Sequence, residues 1–151
     1  MAKRPKFNGS FAAKNRDVKA LGDFENYEFK VPTFSFKYLD MESYPDWSWV
    51  NYDSEIHEVI EFLKNMSNLT WNEIMNQRTG NDGRRQKHHF QEFHTIIPEA
   101  NKIIKKFKYD EVFENLFRFR LGGVHRLWGF LKNGVFYVLW WDRDHKIYPI
   151  D

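Results

Sequence analysis

The sequence predicts an α+β fold, an antiparallel sheet with helices packed on one face, and three observations point to it. A strand-like stretch opens the patterned part of the chain, and helical spacing fills its middle. From Leu116 onward apolar residues alternate through three segments separated by glycine-containing turns. The 151 residues suit one domain, long enough to bury roughly 70% of its unfolded surface. Aromatic residues make up 19% of the chain, so the core is expected to be rich in rings. There are no cysteines, which removes disulfides and thiolate zinc sites and fits a reducing, cytoplasmic setting. No apolar run approaches the ~20 residues of a membrane helix, and the start lacks the apolar stretch of a signal peptide.

The elements follow in order. Residues 1–30 show little periodicity and read as a basic N-terminal arm, with the patterned domain covering 31–151. VPTFSFKYLD (31–40) alternates Phe34, Phe36 and Tyr38 against polar neighbours and reads as a strand. After a Trp/Tyr-containing loop, Ser54 can cap a helix whose Ile56, Val59, Ile60 and Leu63 form one apolar stripe. Thr70 and Glu73 form a capping box for a second short helix to about Gln77. Arg78 to Lys87 reads as a loop and His88 to Ile97 as a short strand or extended segment. Pro98 suits the first turn of a helix reaching about Phe107. LFRFRL, HRLWGFLK and VFYVLWW then form a meander, the last two joined by Asn133-Gly134, a strong type I′ hairpin signal.

Hairpin register decides which side chains share a face. A three-residue turn at 122–124 sets Arg120 opposite Arg126 and Arg118 opposite Trp128. The Asn-Gly turn sets Phe130 opposite Tyr137, Trp128 opposite Leu139 and Arg126 opposite Trp141. One face then carries Phe117, Phe119, Leu121, Leu127, Leu131, Phe136, Val138 and Trp140, for the helices to cover. The other carries Arg118, Arg120, Arg126, Trp128, Tyr137 and Trp141, with Arg143 and His145 beyond. Arginines on such a face either decorate solvent while stacking on tryptophan, or form a surface for phosphates and unstacked bases.

The net charge is only +2, but it is unevenly spread. Between Met1 and Lys19 six basic residues meet one acid, and a second basic block, Arg84-Arg85-Gln86-Lys87-His88-His89, follows a Gly/Asn/Asp-rich stretch. Such blocks attract polyanions by releasing counterions, unless they are simply solvated. Arg84, Arg85, Lys87 and Lys146 therefore join Arg118, Trp128, Tyr137 and Trp141 as candidate nucleic-acid contacts.

FRFRLGGVHRLWGF (117–130) and VFYVLWWDRDHKIY (135–148) together resemble the RelE/HigB group of the RelE/ParE toxin superfamily. The resemblance implies a RelE-like α+β toxin that cleaves RNA, commonly mRNA on the ribosome, and is neutralised by an antitoxin protein. Carried over by position, it points to Arg118, Arg120, Arg126, His145 and Tyr148. RNA cleavage without a metal needs a base for the 2′-hydroxyl, cations for the phosphorane and an acid for the leaving oxygen. Histidine can serve as either proton carrier near neutral pH, and arginine supplies fixed charge and paired donors. Arg120 and Arg126 are thus expected on the scissile phosphate, His145 as acid or base, and Tyr148 or Trp141 against a base, with Asp142 able to orient a histidine.

Other patterns are weaker. Arg120-x4-His125 and Arg84-x4-His89 match the bare spacing of HEPN ribonucleases, but neither stretch reads as the helix that motif requires. His88, His89 and His94 with Glu92 fit no tight metal-ligand spacing, and His94 is a second candidate proton carrier. No P-loop, dinucleotide fingerprint or nucleophile elbow occurs, so no cofactor is expected. A non-catalytic alternative is a phage or mobile-element protein that uses the same face to bind nucleic acid or a partner protein.

Overall fold

The computed structural model describes residues 24–50 and 55–149, and its fold is α+β. The main sheet has five strands: β1 (Thr33–Ser35), β4 (His89–Gln91), β5 (Leu116–Arg120), β6 (Arg126–Lys132) and β7 (Val135–Asp142). They lie in the order β1-β7-β6-β5-β4. All neighbours are antiparallel except β1, which runs parallel to β7, with Thr33 beside Val135. A two-stranded hairpin, β2 (Arg78–Thr79) with β3 (Arg85–Gln86), lies in the stretch that composition assigns to a loop.

The helices are α1 (Ile56–Met66), α2 (Trp71–Met75) and α3 (Pro98–Lys106). The expected capping box is present on α2: the Thr70 hydroxyl accepts the Glu73 N–H, and the Glu73 carboxylate accepts the Thr70 N–H. Pro98 occupies the first turn of α3, where its missing N–H has no helical partner to lose. Ser54, the expected cap of α1, lies outside the described residues, as do residues 1–23 of the basic arm. The last part of that arm docks on the domain. Phe24 and Tyr27 are buried, and the Tyr27 ring meets Trp71 edge-on at 6.1 Å. Main-chain bonds from Trp71 and Asn72 to Lys30 and Glu28 fix the segment there.

Both faces of the sheet are buried, rather than one. Val59, Leu63 and Met66 of α1 and Trp71, Ile74 and Met75 of α2 cover Phe117, Phe119, Leu121, Leu127, Leu131, Phe136 and Val138, all expected on that face. On the opposite face Ala100 and Ile104 of α3, together with Trp47 and Ile147, cover Leu116, Trp128, Phe130, Leu139 and Trp140. The face read as a cationic, aromatic surface is therefore mostly a second core. Trp128 and Trp140 in this core are fully buried and Tyr137 is half-buried.

The expected register holds between β5 and β6, where Arg120 faces Arg126 and Arg118 faces Trp128. Between β6 and β7 it holds from the turn to Val138, then shifts. Gly129 pairs with Val138 and Trp128 with Trp140, so Leu139 is an extra residue without a partner across the ladder. Leu139 turns its carbonyl out to accept the Asp40 N–H at 3.1 Å and the Trp49 indole N–H at 3.0 Å. A side chain at position 129 would meet the Tyr137 carbonyl at 2.0 Å, so the close backbone approach at the bulge requires glycine. The shift exchanges the two tryptophans: Trp141 enters the core under α1 and α2, and Trp140 the core under α3. It also replaces the expected pair Arg126–Trp141 with Arg126–Asp142. Among the described residues no helix is long and apolar enough to cross a membrane.

Candidate nucleic-acid interface

Strand β4 ends the ladder with His89 beside Arg118, two residues short of Arg120. The Arg120 N–H is taken instead by the His88 side chain, at 3.0 Å to Nδ1. His88 Nε2 then donates to Gln77 Oε1 at 2.7 Å. Because its Nδ1 must accept, His88 is neutral. Burial, followed by the nearby positive charges of Lys87, Arg118 and Arg120, lowers its pKa to about 3. The side chain thus ends the sheet and ties it to Gln77, whose carbonyl accepts the Lys87 N–H at 3.0 Å, closing the base of the β2–β3 hairpin.

The gap left between hairpin and sheet is a cleft of about 260 Å³, lined by Thr79, Arg85, Gln86, His89, Gln91, Arg118, Arg120 and Tyr148. Three arginines, one histidine and one tyrosine thus converge from four separate stretches of chain. Arg118 lies deepest, only 4% exposed. Its guanidinium carbon sits 5.7 Å from the Trp128 ring and 5.6 Å from the Tyr148 ring, and its Nη2 donates to His89 Nε2 at 2.7 Å. Arginine can only donate, so Nε2 of His89 is unprotonated and its Nδ1–H donates to the Phe90 carbonyl at 3.1 Å. The lone pair of Nε2 is therefore engaged by a fixed cation, which keeps that nitrogen unprotonated.

The structure divides the expected site residues into two groups. Arg85, Arg118, Arg120 and Tyr148 come together in the cleft, with Trp128 packed against Arg118 from inside the core. Arg126 is buried, and its Nη1 donates to the carbonyls of Gly123 and His125, both at 3.0 Å, bracing the β5–β6 turn. Trp141 stacks on Trp49 at 6.4 Å, and Tyr137 packs on Tyr38 at 5.3 Å. Lys146 pairs with Asp46 at 3.2 Å and Arg84 with Asp82 at 3.5 Å, while Lys87 lines a neighbouring groove with Arg120.

His145 does not line the cleft. It holds a left-handed turn, with φ 58°, just after β7. Asp142 accepts the N–H groups of Lys146 and Ile147 at 2.8 and 2.9 Å, with His145 near its carboxylate. Burial raises its pKa, against those two hydrogen bonds and the nearby His145, which lower it.

His89 lines the cleft, although the sequence counts it only within the basic block, a loose ribonuclease spacing and a weak metal set, and gives it no catalytic role. Its signal is present, since alternation along an extended segment sends adjacent histidines to opposite sides: His88 to the core and His89 to the cleft. The histidines weighed as metal ligands take separate partners, and His94 stands 3.9 Å from Glu92.

A larger groove of about 490 Å³ lies between residues 37–44 and the end of α3. Its buried-side carboxylate, Asp40, is occupied by the Trp140 indole and the Glu42 and Ser43 N–H groups. It lacks the pairing of unprotonated histidine and arginines found in the cleft. No family model, curated protein or solved structure matches the chain.

Proposed function

We propose that this protein is a toxin-like endoribonuclease that binds single-stranded RNA in the Arg85–Arg118–Arg120 cleft. The observation that carries the reading is the hydrogen bond from Arg118 to His89 Nε2, which keeps that nitrogen unprotonated in a cleft with two further arginines. RNA recognition favours recessed cations for phosphate and flat groups for unstacked bases, and the cleft supplies both.

In the proposed reaction the substrate phosphate takes over the Arg118 N–H that His89 Nε2 accepts, and the released Nε2 lone pair takes the proton of a 2′-hydroxyl as that oxygen attacks the adjacent phosphorus. Arg118 and Arg120 hold the non-bridging oxygens, whose charge grows in the transition state. The bond from phosphorus to the 5′-oxygen breaks, and Tyr148 gives that oxygen a proton. The products are a 2′,3′-cyclic phosphate and a 5′-hydroxyl end. An mRNA substrate, met in the cytoplasm and on the ribosome, and a neutralising antitoxin belong to the same proposal, supported by the resemblance of residues 117–130 and 135–148 to the RelE/HigB group.

The test is cleavage of single-stranded RNA by the purified chain, with and without ribosomes. Replacing His89 by alanine is expected to slow cleavage at least ~100-fold, the usual weight of a general base, and Arg118→Ala similarly. Absence of both cleavage and RNA binding in the wild type overturns the proposal. Binding without cleavage reduces it to the non-catalytic alternative.

A further inference from the structure

We infer that Asp142 is a positioning residue for Tyr148: the turn it holds lays the Tyr148 ring on Arg118 and so sets how Arg118 meets RNA, an inference that rests on the reading of the cleft above. Asp142 has no exposed surface, and each of its carboxylate oxygens is used. Oδ1 accepts the Lys146 N–H at 2.8 Å and Oδ2 the Ile147 N–H at 2.9 Å. Three further restraints act on the same short turn. His145 is left-handed at φ 58°, Lys146 reaches Asp46 at 3.2 Å, and buried Ile147 accepts the Ile97 N–H at 3.0 Å. The next residue is Tyr148.

The result is a guanidinium packed on two rings, Trp128 at 5.7 Å and Tyr148 at 5.6 Å. Packing on rings leaves its N–H groups for an acceptor, now His89 Nε2 at 2.7 Å. A phosphate entering the cleft must approach those N–H groups. Trp128 belongs to the core and cannot yield, so the Tyr148 side is the adjustable one. Asp142 controls it because two parallel acceptors are needed. Asparagine offers one oxygen, and its amide group would face an N–H with another donor.

The test uses the full chain and two readouts. First, the Arg118 side-chain protons in NMR spectra are expected to carry ring-current shifts that shrink in both Asp142→Asn and Tyr148→Ala. Second, RNA affinity forms a double-mutant cycle. Each single change is expected to weaken binding about tenfold, the size of one partly buried cation–π contact, and the double mutant to be no weaker than Tyr148→Ala alone. If the two losses multiply instead, Asp142 acts elsewhere and the inference fails.

Should Asp142→Asn not fold, His145→Val forces a β-branched residue into the left-handed turn with Asp142 intact. It is expected to lose the same ring-current signature, whereas His145→Gly keeps it. Lack of RNA binding by the wild type would refute the cleft reading alone, because the ring-current comparison needs no RNA. Arg118 shifts that do not change in Asp142→Asn or His145→Val would refute the positioning role alone.

Discussion

Arg120 and Arg126 face each other across two strands, yet they do different work. Arg126 sits in a central strand, buried, with two backbone carbonyls as acceptors. Arg120 stands half-buried where β4 has left the ladder and the cleft opens. Arg126→Ala is therefore expected to cost roughly 3 kcal/mol, since charge-assisted bonds to buried acceptors are lost and those acceptors stay unpaired. Arg120→Ala should shift the urea midpoint little and weaken RNA binding instead. Equal destabilisation by the two would refute this division. The sequence places both arginines on one face in the right register, but strand alternation carries no information on how far the neighbouring strands extend. For the same reason His145 looked catalytic: its residue type was legible, while the left-handed backbone that turns it into a turn-former was not.

At the scale of elements, local chemistry was the readable part. The Thr70 capping box, Pro98 at the start of α3 and the Asn133-Gly134 turn each name their own geometry, and each appears where expected. The bulge at Leu139 escaped because VLWW is apolar whichever way it is phased, so one extra residue leaves no break in the pattern. The β2–β3 hairpin escaped too, since its strands are two residues each and Gly80 to Gly83 dominates its composition. That hairpin contributes Arg85 as one wall of the cleft. Arg85→Ala is expected to weaken RNA binding evenly across sequences and to reduce the slope of log affinity against log salt by about 0.7, one phosphate contact on a single strand. An unchanged slope would remove the hairpin from the RNA-binding surface.

For the whole molecule, two cores on one sheet explain why most of the expected binding face is closed. An Arg/Trp alternation reads as solvent-facing until a third helix covers it, and α3 is joined to that face only by tertiary contacts. The neutral, buried His88 makes stability depend on acid. Its folded pKa of about 3 lies below the unfolded 6.5, so the unfolded chain binds the proton more readily. Stability is full above about pH 6.5 and falls towards pH 3 by at most about 1.4 kcal/mol per unit. Asp142 has the opposite sign, because its raised pKa disfavours the ionised folded form and acid relieves that cost. Moving from pH 7.5 to 5.0 should therefore cost up to about 2 kcal/mol through His88, and His88→Asn should flatten the profile. An identical profile in that variant would assign the acid sensitivity elsewhere.

The parallel pairing of β1 with β7 has a consequence for the order of assembly. Thr33 meets Val135 about a hundred residues further along the chain, and Tyr148 lies beyond that. During synthesis β1 must wait without its partner while the helices and the first hairpins emerge, and contacts of such long range form slowly. Arg85, His89, Arg118 and Arg120 are all made before the ring that closes over them. The cleft is thus completed only after Tyr148 has emerged, and a nascent chain stopped at Lys132 would carry the arginines but no completed site.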